Sequence, residues 1–326
     1  MKKLLRVILI ALGVFVIVIV LALVYVKFSL PNVGAAPEIA VELTPERVKH
    51  GDYLANHVMV CIDCHSLRDW QYFSGPPIIG TEGAGGERFG RDFGFPGEFF
   101  SPNITPSGVG DWTDGELFRA ITTGVTRDGS AIFPLMPYPD YGKLDEDDIK
   151  DVIAFIRTLS SIENEIPERE IDFPLNFILN TIPKKASLTT RPNPMDRINF
   201  GEYMFTAAAC TECHTKAVKG KVVGEYLAGG FEFNLPDGSV LRSTNITPHV
   251  TGIGLWSEAF FVNRFKYYVD TAYVYEVVGP GEFMTVMPWI MYGGMTEEDL
   301  GSLYQFLRTV PAVENVVERF TVAQTP

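Results

Sequence analysis

Cysteine is scarce in this chain: four residues in 326, with only five histidines beside them. All four fall in two short runs, Cys61-Ile62-Asp63-Cys64-His65 and Cys210-Thr211-Glu212-Cys213-His214. No thiol is left over, so a disulfide framework is not expected. Basic residues are few as well. Lysine and arginine number 27 against 40 acidic residues, a formal charge of −13, which argues against nucleic acid as a partner. Acidic residues are missing from the first 37 positions, where Lys2, Lys3, Arg6 and Lys27 are the only charges. The remainder therefore holds 23 basic and 40 acidic residues, a formal charge of −17. Such a surface suits salt-sensitive docking to a basic patch on another protein, and it equally serves plain solubility.

Charge is also missing from Val7 to Val26. Twenty uncharged, mostly branched apolar residues match the length of a helix that crosses a bilayer. The positive residues ahead of it place residues 1–6 in the cytoplasm and everything after Lys27 outside. A cleaved signal peptide is the rival, since Val33-Gly34-Ala35-Ala36 offers small residues, but the apolar core of such a peptide is only about 7–15 residues long. The expectation is an uncleaved single-pass anchor and tether over 1–36.

What is present is the pattern Cys-x-x-Cys-His, twice, which reads as covalent haem attachment. Two thiols form thioethers to the porphyrin, and the next residue holds a neutral imidazole against the iron. A thioredoxin-like pair gives no reason for the following histidine in both runs. A zinc site would need adjacent side chains, Cys64 with His65 and Cys213 with His214, to reach one tetrahedral ion, which is awkward. Two covalently attached haem c groups are expected.

The sequence also repeats itself. Arg47-Val48-Lys49-His50-Gly51-Asp52-Tyr53 resembles Arg197-Ile198-Asn199-Phe200-Gly201-Glu202-Tyr203; Asn103-Ile104-Thr105-Pro106 returns as Asn245-Ile246-Thr247-Pro248, followed by Trp112 and Trp256; Met136-Pro137-Tyr138 returns as Met287-Pro288-Trp289. At that last offset Tyr141, Asp148, Phe155 and Arg157 match Tyr292, Asp299, Phe306 and Arg308. A match this long points to duplication. It divides the chain into units at 37–165 and 193–320, with a connector at 166–192 and a tail at 321–326. Each unit reads as helical. A helix starts at Thr44-Pro45 and leads to the first Cys motif. A second is capped by Thr113 or Asp114, and a third runs from about Asp145 to Leu159 with Ile149, Val152, Ile153 and Ile156 on one face. The Gly-rich stretch Gly75–Gly97 reads as loop. In the connector, Phe173, Leu175, Phe177, Ile178 and Leu179 need cover, most simply the seam between the units.

Each iron needs a second axial ligand. Before the connector the only methionines beyond the membrane segment are Met59, too close to Cys61, and Met136. The later unit offers Met284, Met287, Met291 and Met295, and the repeat selects Met287. Met136 lies 71 residues after His65, and Met287 lies 73 after His214. His50, His57 and His249 do not recur and read as surface or loop residues. The Asn-Ile-Thr-Pro runs read either as a local turn or as a loop on the haem rim, and Trp112 and Trp256 as core anchors.

These motifs resemble the class I cytochrome c superfamily over about Thr44 to Val310, and in particular the cytochrome c subunits of membrane-bound alcohol, sugar and sugar-acid dehydrogenases. The resemblance implies an all-α fold of two tandem class I cytochrome c domains, with haem attached on the periplasmic side of a bacterial inner membrane. Cys61, Cys64, His65 and Met136 would hold one haem, and Cys210, Cys213, His214 and Met287 the other, with the His and Met residues on iron. Its implied role is relay of single electrons between a dehydrogenase or respiratory donor and a terminal acceptor, without catalysis. Those subunits usually carry three haem motifs, whereas this chain has two. A dihaem peroxidase is the rival; it requires an open or displaceable iron position, which the two Met-Pro runs disfavour.

Overall fold

The computed structural model of the protein describes residues 2–279 and 281–323, so the last three positions of the 321–326 tail lie outside the described residues. The chain opens with α1 (Lys2–Ser29), then α2 (Pro45–Tyr53), α3 (Cys61–Cys64), β1 (Arg88–Phe89), β2 (Gly97–Phe100), α4 (Pro106–Val109), α5 (Asp114–Thr123), α6 (Tyr138–Tyr141) and α7 (Glu146–Ile156). It continues with β3 (Glu170–Ile171), α8 (Leu175–Ile178), α9 (Arg197–Ala207), α10 (Cys210–His214), β4 (Ala217–Val218), β5 (Lys221–Val222), β6 (Glu232–Asn234), β7 (Val240–Arg242), α11 (Glu258–Lys266), α12 (Trp289–Gly293), α13 (Glu297–Leu307) and β8 (Phe320–Thr321).

Helix α1 has 28 residues, none buried against the rest of the chain. At 1.5 Å per residue it is about 42 Å long, and it is apolar enough to cross a membrane. The helices after it begin where side-chain caps exist. Thr44 accepts from the Arg47 amide ahead of α2. Thr113 and Glu116 form a reciprocal capping box on α5, and Asp145 and Thr296 cap α7 and α13. Each such cap satisfies an amide that the helix cannot.

Helix α2 crosses α7, and α9 crosses α13. Both crossings are close because a glycine lies in each. A Cβ on Gly51 would stand 1.8 Å from the Asp151 carbonyl oxygen, and one on Gly201 2.0 Å from that of Ser302. Seven residues separate Tyr53 from Cys61, but six separate Tyr203 from Cys210. The additional residue is absorbed as one π turn, Leu54–Val58. Both paths then reach a left-handed residue directly before the first cysteine: Val60 at φ 47° and Ala209 at φ 49°.

The fold is not purely helical. Strands β1 and β2 form a hairpin joined by β3 beyond α7, with Gly97 opposite Ile171; β6 and β7 form another, joined by β8 beyond α13, with Leu241 opposite Phe320. Strands β4 and β5 make a small third sheet. These strands are two to four residues long, too short for a two-residue alternation to show in the sequence. The Gly-rich stretch expected as loop holds β1 and runs into β2.

Buried apolar side chains from both halves, among them Ile149, Val152, Ile153, Leu300 and Leu303, form one continuous core. The seam is made by reciprocal tyrosines. Tyr53, at the end of α2, donates to Asp299 and accepts from the Thr296 amide at 3.1 Å. Tyr203, on α9, donates to Asp148 at 2.5 Å and accepts from the Asp145 amide at 2.9 Å. Each half thus caps the last helix of the other, the self-complementary pattern of a two-fold interface. Replacing Tyr203 by Phe is expected to cost about 1–3 kcal/mol in a denaturation experiment. It leaves Asp148, whose side chain is 3% exposed, with Arg191 at 2.8 Å and a more distant His50.

Two expectations are corrected here. The connector does not cover the seam: Leu179 is buried, but Phe173 and Ile178 are 80% and 48% exposed. Its Asn176, Phe177 and Asn180 line a cavity with Val26 and Lys27 at the end of α1. His57 is not a surface histidine either. The π turn carries it into the seam, where Nδ1 lies 3.0 Å from the Met291 carbonyl oxygen and burial lowers its pKa.

Candidate haem-attachment sites

Cys61, Cys64 and His65 sit on and just after one helical turn, as do Cys210, Cys213 and His214. The four thiols are unpaired and none is fully buried. His65 Nδ1 lies 2.8 Å from the Pro102 carbonyl oxygen, and His214 Nδ1 lies 2.8 Å from that of Thr244. A carbonyl only accepts, so Nδ1 carries the proton in both rings and Nε2 is left with its lone pair for a metal. Burial lowers both imidazole pKa values, partly offset by the carbonyl bond. Both effects of burial and tautomer favour the neutral ring that ligates iron.

The carbonyls that orient the histidines belong to residues 102 and 244, each directly ahead of an Asn-Ile-Thr-Pro run. Asn103 Oδ1 accepts from the Thr105 amide at 2.9 Å and hydroxyl at 2.7 Å, while its Nδ2 donates to the Ile162 carbonyl at 2.7 Å. Asn245 does the same with Thr247 at 2.9 and 2.8 Å and Val313 at 2.8 Å. The runs are buried Asx turns pinned to the segment after each half's last helix. Their position also fixes the carbonyl that holds each histidine.

The histidine's own carbonyl is held as well, by the Gly85 amide for His65 and the Gly229 amide for His214, both at 2.8 Å. These glycines have φ of +69° and +75°. A Cβ would stand 2.5 Å from the Pro102 carbonyl carbon in one case and 2.4 Å from that of Thr244 in the other. Gly85→Ala or Gly229→Ala therefore forces back the group that orients the ring. Each is expected to cost about 2–4 kcal/mol, measured by thermal denaturation, and to lower haem incorporation in its own half. Reading the sequence missed these glycines and the two carbonyls; the Ala-Gly-Gly runs 84–86 and 228–230, each lying between a Cys motif and its Asn-Ile-Thr-Pro run, were the available signal.

The Met-Pro runs take one geometry. The Tyr138 amide bonds to the Met136 carbonyl and the Trp289 amide to the Met287 carbonyl, both at 2.8 Å. Between them stand Pro137 at φ −79°, ψ 47° and Pro288 at φ −80°, ψ 65°, near an inverse γ-turn whose φ proline already supplies. Tyr141 and Tyr292, five residues after each methionine, donate at 2.8 Å to the carbonyls of Met59 and Ala208. Those carbonyls lie two residues before Cys61 and Cys210, so each tyrosine ties a Met-Pro turn to its cysteine helix. Met136 and Met287 are partly buried, whereas Met59, Met284, Met291 and Met295 are buried in the core. Trp112 and Trp256 are partly buried and pack on the core as anchors.

The two motifs have different neighbours. Asp63 makes a buried ion pair with Arg68 at 3.1 Å, and burial, with Glu87 adding to it and Arg68 opposing, pushes its carboxyl up to about 6. Arg68 also lies 4.1 Å over the Trp70 ring. Glu212 is raised by burial, with Asp140 adding and Lys143 opposing. His50 belongs to a cluster with Asp148 and Asp151, but Arg47 and Arg191 already pair with those carboxylates. His249 bonds to Thr251 within its own loop. The donor set fits haem c: two free thiols, an imidazole held in the ligating tautomer and an incompletely buried thioether in each half.

No family model matches the chain. Curated relatives do. The cytochrome c subunit of alcohol dehydrogenase (quinone) of Gluconobacter oxydans is 27% identical over 294 residues, covering 82% of this chain and 55% of that protein. The fructose dehydrogenase cytochrome subunit of Gluconobacter japonicus is 27% identical over 299 residues, 86% of this chain and 56% of that protein. Most relatives of this chain are named as cytochrome proteins. A diheme cytochrome c-type protein of Cereibacter sphaeroides is 28% identical over 269 residues, 78% of this chain and 83% of that protein. The chain thus spans about half the length of the two dehydrogenase cytochrome subunits and most of the dihaem protein. Relatives of this kind imply covalently bound haem c.

Proposed function

We propose that the chain is a dihaem c-type cytochrome that relays single electrons between a dehydrogenase, or another respiratory donor, and a terminal acceptor. It comprises two tandem class I cytochrome c domains, 37–165 and 193–320, held on the periplasmic face of a bacterial inner membrane by α1. Cys61, Cys64 and His65, with Met136, hold one haem; Cys210, Cys213 and His214, with Met287, hold the other. The observation that carries this reading is the pair of histidine–carbonyl bonds, which fix the same ligating tautomer at both motifs.

Bound in this way, haem c supplies reversible one-electron chemistry. The chain's own residues do the rest. Pro102 and Thr244 orient the imidazoles, Tyr141 and Tyr292 hold the Met-Pro turns to the cysteine helices, and the shared core keeps water from the inner faces. A relay needs the two centres at a fixed separation, which the reciprocal Tyr53 and Tyr203 bonds support. The dehydrogenase subunits named above supply the class of donor.

A peroxidase needs one displaceable ligand, and the matching Met-Pro turns favour the carrier instead. The purified, fully reduced protein is expected to exchange electrons rapidly with small cytochromes or copper proteins and to show no catalytic turnover with hydrogen peroxide. Saturable peroxide reduction would overturn the carrier reading.

A further inference from the structure

The two Met-Pro turns share a backbone geometry but differ in what braces them. Ser74, from the loop that follows the first cysteine motif, donates its hydroxyl to the Met287 carbonyl at 2.6 Å and accepts from the Trp289 amide at 3.2 Å. It bridges both ends of the second half's turn from the other half of the molecule. Ser74 is 2% exposed and left-handed, at φ +69°.

The loop is itself held on both sides. Arg68 donates to the carbonyls of Ser74 at 2.6 Å and Gly75 at 2.7 Å, and its buried pair with Asp63 roots the loop in the first cysteine helix. Phe73 donates its amide to the Glu276 carbonyl at 2.8 Å, and Val278 donates to that of Gln71 at 2.9 Å, so the loop pairs with the segment ahead of Met287. In the first half, the Met136 carbonyl accepts from the Tyr138 amide, and no segment of the second half bonds to it among the described residues.

We propose that Ser74 is a positioning residue for the second haem: the first half sets how firmly Met287 is held, while Met136 is held by its own half alone. This rests on the reading of Met287 as an axial ligand. A hydroxyl that bonds both ends of a tight turn restricts the turn's motion. A thioether is a weak ligand whose occupancy depends on how well its backbone is pre-placed. Loss of the hydroxyl should therefore raise the rate and extent of Met287 displacement without removing any ligand atom.

The test uses the full-length, haem-loaded protein. Ser74→Gly is the primary variant, because glycine adopts φ +69° without strain while losing the hydroxymethyl group; Ser74→Ala, which removes only the hydroxyl, is the second. Imidazole is titrated into the ferric protein, and the Met-to-iron charge-transfer band is followed in two backgrounds. Met136→His leaves Met287 as the only methionine ligand, and Met287→His leaves Met136. In the Met136→His background, Ser74→Gly is expected to make imidazole displace the methionine at least tenfold more readily. In the Met287→His background it is expected to change nothing, which also shows that the loop change has not unsettled the first half. Equal effects in both backgrounds, or none in either, would overturn the proposal. If Met287→His alone leaves the band unchanged, the ligand reading itself has failed, a result separate from any effect of Ser74.

Discussion

A chain in which Cys61 and Cys64 are both replaced by alanine is expected to carry one covalent haem instead of two, and the corresponding change at Cys210 and Cys213 is expected to do the same. The expectation follows from cysteine economy. No other thiol exists in the chain to form a thioether, and each pair lies on its own helical turn beside its own histidine. The losses should differ in consequence. Cys61 and Cys210 both pack on the core that the halves share, but the first motif also roots Arg68 and the loop that reaches Met287. Removing the first haem should therefore disturb the second half more than the reverse change disturbs the first. Intact mass under denaturing conditions counts the haems, and thermal denaturation of each single-haem chain ranks the damage.

The second large effect is on potential. Met136→His or Met287→His replaces a thioether by an imidazole, a stronger donor that favours the ferric state. Each variant is expected to lower the potential of one centre by roughly 0.2 V, within the range that axial ligands span. Each should also remove its own share of the Met-to-iron band. Methionines buried in the core behave otherwise. Met295 is fully buried, and Met295→Leu should leave both potentials in place. A spectroelectrochemical titration of the three variants against the parent separates the cases, and a potential unmoved in Met287→His would remove that residue from the iron.

Much of the site was legible because its chemistry rests on short, rigid spacings. Cys-x-x-Cys-His names its own cysteines and histidine, and the Met-Pro runs stood out because they came twice with the same following tyrosine. Helix starts at Thr44, Thr113 and Asp145 were readable because a cap is a local event between residues two or three apart. Other features were not. The carbonyls of Pro102 and Thr244 hold the histidines through backbone atoms, which any residue type supplies, so no side chain marks them. The π turn at Leu54–Val58 follows from one additional residue between Tyr53 and Cys61, visible only by counting one half against the other. His57 looked like a surface histidine because its partner, the Met291 carbonyl, is 234 residues away. The connector's apolar residues called for cover, but the seam had already been closed by Tyr53 and Tyr203, whose repeat in the sequence carried no hint that they reach across to the opposite half. The strands were illegible for a different reason: at two to four residues they bury too little to leave a pattern.

One measurement bears most directly on the account: reduced-minus-oxidised optical spectra with near-infrared magnetic circular dichroism on the purified full-length chain, normalised to haem per polypeptide. Two low-spin haems per chain, both with histidine and methionine on iron and both unchanged by peroxide, is the predicted result. A single haem, or a second one that is high-spin or bis-histidine and reacts with peroxide, would contradict it.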